Sequence, residues 1–169
     1  MIEISHAAVE QQGAIKDLHR AAFGGDFEAR LVEQLRNDGL VAASLVATDG
    51  GTVVGHILFS DLAVELDGRP VAAVSLAPLA VLPERQRGGI GTRLVEAGLE
   101  SLRARQRAAA VIVLGEPGFY RRFGFSAELA RKLASPYAGE AFMAIELIPG
   151  ALAGHSGAVT YPAAFFTRG

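Results

Sequence analysis

The sequence predicts a single α/β (α+β) domain in which helices flank a mixed, mostly antiparallel central sheet. Three observations lead to this fold class. Apolar segments between residues 41 and 82 are separated only by short turns, which is typical of an antiparallel meander. The last of these segments runs through a glycine-rich turn directly into a helix. A further apolar strand follows that helix, and a right-handed helical crossover makes its pairing with the preceding strand parallel.

The amino-terminal third contains one predicted strand and two predicted helices. Residues 2–5 alternate between apolar and polar side chains, as a half-buried strand does. Residues 9–23 carry apolar side chains at helical spacing, and the pair Gly24-Gly25 ends this helix. Asp26 is a candidate N-cap for a second helix that extends to residue 37.

The meander follows, with three strands predicted over residues 41–48, 52–64 or 52–66, and 70–82. Pro78 interrupts the third strand. A proline cannot donate a hydrogen bond to a sheet ladder, so it indicates a bulge or an unpaired edge there.

After the glycine-rich turn and its helix, residues 108–114 form a short apolar strand. A short helix then carries Phe119, Tyr120 and Phe123, and Gly124 ends it. Two closing strands are predicted over residues 142–147 and 158–161. The segment 127–140 has no clear pattern and is left unassigned.

Composition limits the classes of function. The 169 residues fit one domain over 1–169, and a net charge of −2 without a dense basic tract argues against nucleic-acid binding. There is no cysteine, and the four histidines lack metal-ligand spacing, so neither a thiol nucleophile nor a metal is expected. No targeting segment or membrane span is apparent, and a cytoplasmic location away from membranes is the expectation.

Residues 86–92 have the pattern of a phosphate-binding turn. Gly88, Gly89 and Gly91 lack a Cβ, so they allow positive φ and close approach by a ligand. The helix that begins here offers backbone N–H groups without internal partners. The dinucleotide fingerprint fails, because Leu94 stands where its last glycine would be, and a Gly-Lys phosphate loop is absent.

Two motifs and the order of elements carry a resemblance to a known family. Gln86-x-x-Gly89-x-Gly91 looks like the Q/R-x-x-G-x-G/A segment of the GNAT N-acetyltransferases, and Tyr120-x-x-x-Gly124-Phe125 looks like their Y-x-x-x-G-F segment. Over nearly its whole length the chain resembles a subgroup of bacterial acetyltransferases. The resemblance implies the GNAT acyltransferase fold and acetyl-CoA as cosubstrate, without a metal.

The resemblance also implies which residues contact coenzyme A. The backbone between residues 86 and 92 would bind the pyrophosphate, and the strand before it would pair with the pantetheine arm, with an N–H near Val81 polarising the thioester carbonyl. The implied cofactor-binding residues are Leu79, Ala80, Val81, Gln86, Arg87, Gly88, Gly89, Ile90, Gly91 and Thr92. Arg85 and Arg87 either add charge near the phosphates or are solvated.

Tyr120 matches the family position of the acid that protonates the leaving thiolate. The general base stays open between His56, Glu84 and Glu28, and some family members need none. His56 lies in an apolar strand, where a hydrogen-bonded core histidine is the ordinary case.

Two functions are consistent with these residues. The first is direct acetyl transfer to a primary amine through a tetrahedral intermediate. The alternative is a non-catalytic acyl-CoA-binding sensor or scaffold of the same fold. The acceptor, a small-molecule or peptide amine, has no motif. Glu28, Glu33 and Glu140 suggest that it is cationic, and a homodimer is left open.

Overall fold

The structure is a computed structural model and describes residues 1–166. Its strands are β1 Ile2–His6, β2 Val41–Asp49, β3 Thr52–Leu66, β4 Arg69–Val81, β5 Ala110–Leu114, β6 Leu133–Ala134, β7 Phe142–Glu146 and β8 Gly157–Thr160. Its α-helices are α1 Gln12–Phe23, α2 Phe27–Asn37, α3 Ile90–Ala104, α4 Pro117–Tyr120 and α5 Ala127–Ala130. Short 3₁₀ turns span Val9–Gln11, Pro83–Arg85, Arg121–Phe123 and Ala163–Phe166.

The sheet has the order β1-β2-β3-β4-β5-β7, and β8 pairs with the far end of β3 and with β6. The pairs β4–β5 and β6–β8 are parallel, and the other pairings are antiparallel. The predicted mixed, mostly antiparallel sheet is therefore confirmed. So is the parallel pairing across α3, since this helix supplies the long connection that parallel strands require.

Alternating side chains in the middle of β2 and β3 show that the helices cover opposite faces of the sheet. Leu45 and Ile57 belong to the apolar cluster that contains the buried stripe of α3. Their neighbours Val46 and Leu58 belong to the cluster that contains α1 and α2. Because successive strand residues point to opposite faces, this pattern covers both sides of the sheet.

Strands β4 and β5 separate partway along their length. They are paired from Ala73↔Ala110 to Leu76↔Val113, but β4 continues to Val81 without β5 beside it. Close to this point the register with β3 shifts, and the residues around Pro78 form a bulge in β4. The bulge predicted at Pro78 is confirmed, and one backbone edge of β4 is left open.

Some boundaries differ from the prediction. The first helix begins with a 3₁₀ turn before α1, and Asp26 precedes α2 without capping it by its side chain. Its Oδ1 instead accepts a hydrogen bond from Arg20 Nε at 2.6 Å, because an ion pair competes for the same carboxylate. The segment left unassigned contains α5 and the two-residue strand β6, which are too short to produce a periodic signal.

Gly98 allows α3 to pack directly on the sheet. A Cβ at this position would lie 2.3 Å from Cε1 of the fully buried Phe59. We expect Gly98→Ala to lower the free energy of unfolding by about 1–3 kcal/mol through overpacking. Gly13→Ala in α1, where a Cβ meets no atom within 4 Å, should instead raise it by about 0.5–1 kcal/mol. Urea unfolding of both variants tests this, and equal effects of the two would contradict the packing argument.

Candidate active site

A cavity of about 620 Å³ opens where β4 and β5 separate. Its floor is the bulged part of β4, from Ser75 to Leu79. One wall is formed by the end of α1 and the start of α2, and another by the end of β5 and the start of α4. The remaining lining comes from Tyr137, Tyr161 and Phe165 in the carboxyl-terminal part of the described chain. The volume is within the range of small-molecule sites.

The open edge of β4 presents backbone amides to the gap where β4 and β5 separate. The N–H of Leu82 donates to the carbonyl of Val54 on β3 at 2.9 Å. Because amides alternate along a strand, the N–H of Ala80 also points to β3, whereas those of Leu79 and Val81 point away from it. Within residues 1–166 neither of these two amides has a β5 partner.

Of these two residues, Leu79 lines the cavity and Val81 does not. The sequence prediction put the N–H that polarises the thioester near Val81. In the structure Leu79, two residues earlier on the bulged part of β4, lines the cavity that contains Tyr120, and the position of the polarising N–H stays a prediction. Ala80 contributes no free amide.

The turn between β4 and α3 carries a row of unpaired amides. Within the described chain, the N–H groups of residues 87–92 have no hydrogen-bond acceptor, and the first intrahelical bond is from Arg93 N–H to the Gly89 carbonyl. Such a helix start also carries partial positive charge. Residues 87–92 therefore form a backbone cradle of the kind that binds phosphate.

The glycines in this turn have different roles. Gly89 has φ of +86°, and Arg87, a non-glycine residue, also adopts positive φ at +66°. Gly88 and Gly91 are outside the positive-φ region, and a Cβ on Gly91 would meet Phe119 at an ordinary 3.7 Å. Of these three positions, only that of Gly89 has a backbone conformation that requires glycine.

Several side chains around the turn already have partners. Gln86 Nε2 donates to the carbonyl of Val81 at 3.0 Å, so it closes the turn onto the strand. Arg85 forms an ion pair with Asp49 at 2.9 Å, which directs its charge away from the cradle. The side chain of Ile90 is buried in the core.

Arg122 was not identified from the sequence. Its Nη2 donates to Oγ1 of Thr92 in the first turn of α3 at 3.1 Å, and its guanidinium lies 4.9 Å from the centre of the Phe119 ring. It therefore places a positive charge beside the cradle. The only sequence signal was its position inside the Y-x-x-x-G-F motif.

Tyr120 lies in the cavity wall and is only 8 % exposed. Its ring packs edge-on against Phe119 and Phe125, and the missing side chain at Gly115 leaves room for it. Within the described residues its hydroxyl has no protein hydrogen-bond partner. Burial raises the pKa of Tyr120 to about 12, so the phenol stays protonated at neutral pH and is able to donate a proton.

His56, one candidate for the general base, does not line the cavity. It is fully buried, with Nδ1 2.8 Å from His19 Nε2 and Nε2 2.8 Å from Ser44 Oγ. Burial lowers the pKa of His56 to about 3 and that of His19 to about 4, so both rings are neutral at pH 7. His56 is therefore a hydrogen-bonded core histidine.

This buried pair predicts a pH dependence of stability. The unfolded chain binds protons at the ordinary histidine pKa of 6.5, whereas the folded chain does not, so the free energy of unfolding falls as the pH decreases below about 6.5. The expected slope approaches 1.4 kcal/mol per pH unit for each histidine. His56→Gln should roughly halve this dependence between pH 6.5 and 5 in urea unfolding. His6→Gln, at an exposed position, is the control, and an unchanged slope in His56→Gln would refute the assignment.

The two other candidates for the general base differ in their position relative to the cavity. Glu84 is exposed in the turn after β4 and does not line the cavity, whereas Glu28 lines it. Glu116, which the sequence argument did not select, also lines the cavity, and its Oε1 accepts a hydrogen bond from Gly118 N–H at 3.3 Å. Glu116 is the second residue after the apolar strand β5. This position after a buried strand is the sequence feature that could have identified it.

No helix within residues 1–166 is both long enough and apolar enough to cross a membrane.

The sequence of the chain matches a known protein family. A model of the acetyltransferase (GNAT) domain matches residues 3–127. The uncharacterized N-acetyltransferase YhbS of Escherichia coli is 42 % identical over 151 residues, which cover 87 % of this chain and 88 % of that protein.

Solved structures of GNAT acetyltransferases also resemble the chain. The chain superposes on E. coli YhbS in complex with CoA with a TM-score of 0.88 and 37 % identity, covering 99 % of this chain and 93 % of that one. A GNAT acetyltransferase from Brucella melitensis in complex with acetyl-CoA gives a TM-score of 0.80 and 33 % identity, with 98 % of each chain covered. The fold, the family model and these relatives together show that the chain belongs to the GNAT acetyltransferase family.

Proposed function

We propose that this chain is an acetyl-CoA-dependent N-acetyltransferase that moves an acetyl group to a primary amine by direct attack through a tetrahedral intermediate. The observation that carries the proposal is that Leu79, whose amide lacks a β5 partner, and Tyr120, whose hydroxyl stays protonated, line one cavity. The cradle of residues 87–92 lies beyond the end of the same strand.

Coenzyme A fits along the open edge of β4 and the cradle that follows it. The unpaired amides of residues 87–92 suit the diphosphate, with Arg122 adding charge beside them. The N–H of Val81 points to the same side of β4 and is available to the amide-bearing pantetheine arm, as an added strand would use it. The two relatives were solved in complex with CoA and acetyl-CoA, which supports coenzyme A as the ligand.

Two groups of this chain serve the transfer itself. The Leu79 N–H stabilises negative charge on the thioester oxygen as the amine nitrogen bonds to the carbonyl carbon. When the carbon–sulfur bond breaks, Tyr120 donates its proton to the leaving sulfur. An acceptor that binds as an ammonium group first releases one proton to solvent, because only the neutral amine has a lone pair for the attack. Its nitrogen releases a second proton as the intermediate collapses, and Tyr120 regains one from solvent, so the net products are an amide, a free thiol and one proton.

Turnover distinguishes this function from the sensor or scaffold alternative, because both bind the cosubstrate. The protein is incubated with acetyl-CoA and a panel of primary amines, and acetylated products are identified by mass spectrometry. Amine-dependent release of free thiol supports the proposal. Tight binding of acetyl-CoA in calorimetry, without an acetylated product from any amine, would favour the sensor.

A further inference from the structure

The chemistry of the cavity restricts the acceptor, an inference that rests on the proposed function. We infer that the acceptor is a small primary amine with a single positive charge on an apolar, ring-bearing body, and that Glu28 binds its ammonium group. Amines that also carry a carboxylate or phosphate are disfavoured.

The charge of the cavity lining disfavours an anionic acceptor. Among the described residues, the charged side chains that line the cavity are Glu28 and Glu116, and neither Lys, Arg nor His contributes to it. An anionic group on the acceptor would therefore meet carboxylates without a compensating cation. Burying such a group unpaired is costly, so amino acids with a free α-carboxylate are poor candidates.

The two carboxylates of the cavity differ in their surroundings. Glu116 is at the start of α4, next to the turn that carries Tyr120, and its Oε1 already accepts the Gly118 N–H. Glu28 is in the first turn of α2 on the opposite wall, is half-buried, and forms no ion pair within residues 1–166. An unpaired carboxylate in an apolar wall favours a cationic partner.

Exposed apolar side chains line the same cavity as Glu28. Phe23 and Phe27 are 44 % and 37 % exposed, and Leu114 on the facing wall is 47 % exposed. All three line this one cavity. Contiguous exposed apolar groups of this kind mark a ligand-binding surface, since folding alone leaves them in water.

The carboxyl-terminal part of the described chain gives the cavity an aromatic wall. Tyr137 packs edge-on against Tyr161 with ring centres 5.0 Å apart, and Tyr161 packs on Phe165 at the same separation. Rings fixed in this way offer faces and edges to an apolar ring at little entropic cost, and they also attract a cation. A polyhydroxylated amine would leave hydroxyl groups unpaired against these rings.

The test compares three acceptors in a steady-state assay with saturating acetyl-CoA. 2-Phenylethylamine has the inferred chemistry, phenylalanine adds only a carboxylate, and putrescine lacks the ring and adds a second charge. We expect kcat/KM for 2-phenylethylamine to exceed that for each of the others at least tenfold. A kcat/KM for phenylalanine or putrescine equal to or above that of 2-phenylethylamine would overturn the inference and leave the proposed function intact.

A matched pair of variants tests Glu28. Glu28→Gln should raise KM for 2-phenylethylamine about tenfold with the Kd for acetyl-CoA unchanged. Glu33→Gln is the control, because Glu33 is exposed one and a half turns further along α2 and faces Lys16 at 3.7 Å. Equal KM values for the two variants would remove Glu28 from this role.

Binding measurements separate the failure of this inference from failure of the proposed function. Calorimetry of 2-phenylethylamine with the CoA-bound protein should show binding that weakens about tenfold in Glu28→Gln. Such binding without turnover would refute acetyl transfer, and it would support the inferred chemistry of the amine that this cavity binds. An absence of binding would refute the acceptor class, whatever other amine is acetylated.

Discussion

Replacement of Tyr120 by Phe is expected to lower kcat about 100-fold while the Kd for acetyl-CoA stays within twofold of wild type. The substitution keeps the ring that packs against Phe119 and Phe125 and removes only the hydroxyl. A positioned general acid contributes about 10²–10⁴-fold to rate. Steady-state kinetics gives kcat, and calorimetry with acetyl-CoA gives Kd. Unaltered turnover would remove Tyr120 from the transfer step.

The pH profile of the wild-type protein provides an independent check on Tyr120. Because burial raises its pKa to about 12, the phenol remains protonated across the usual assay range, and proton donation is lost only as the pH rises through that value. We therefore expect no loss of kcat from this group up to pH 10. An unperturbed tyrosine would already be half ionised there, so a Tyr120-dependent fall in kcat centred at pH 10 would contradict the buried environment.

Removal of the backbone N–H at Leu79 is the second change with a large expected effect. Leu79→Pro should lower kcat about 10²–10³-fold relative to Leu79→Ala, which is the magnitude found when one oxyanion donor is lost. Both variants remove the leucine side chain, but only proline removes the N–H. The Leu79 amide points away from β3, so proline breaks no ladder hydrogen bond with that strand.

The thermal midpoints of the two Leu79 variants provide the control. Midpoints within a few degrees of each other would attribute the difference in kcat to the missing amide. Equal kcat values in two folded variants would show that the Leu79 N–H does not contact the reacting carbonyl. In that case the Val81 amide, two residues further along β4, would be the remaining donor on this side of the strand.

Local pattern was sufficient to predict most of the elements. The strand, turn and helix around Gly89 follow from an apolar run, glycines and an amphipathic stripe, all within about thirty residues. The bulge at Pro78 follows from the missing N–H of proline. The core position of His56 follows from its apolar neighbours. Each of these inferences depends on residues close together in the chain.

The cavity depends on residues that are far apart in the chain. Pairing of β4 with β5 stops at Leu76, and no periodicity in either strand reveals where two strands separate whose paired residues are 37 positions apart. Tyr137 and Tyr161 reach the cavity because β8, only four residues long, pairs with the far end of β3. A four-residue strand carries too little pattern to identify its partner. Likewise, nothing in sequence spacing joins His19 to His56.

The open edge of β4 has a consequence for mutational scanning. Under the proposed function its contribution comes from main-chain atoms, which every residue except proline supplies equally, so an alanine scan across residues 79–81 would detect altered packing and miss the chemistry. Libraries intended to change the proposed choice of acceptor are better concentrated on Phe23, Phe27 and Glu28, where side-chain identity shapes the wall. Amide-to-ester replacement at Leu79 by semisynthesis would probe the edge itself.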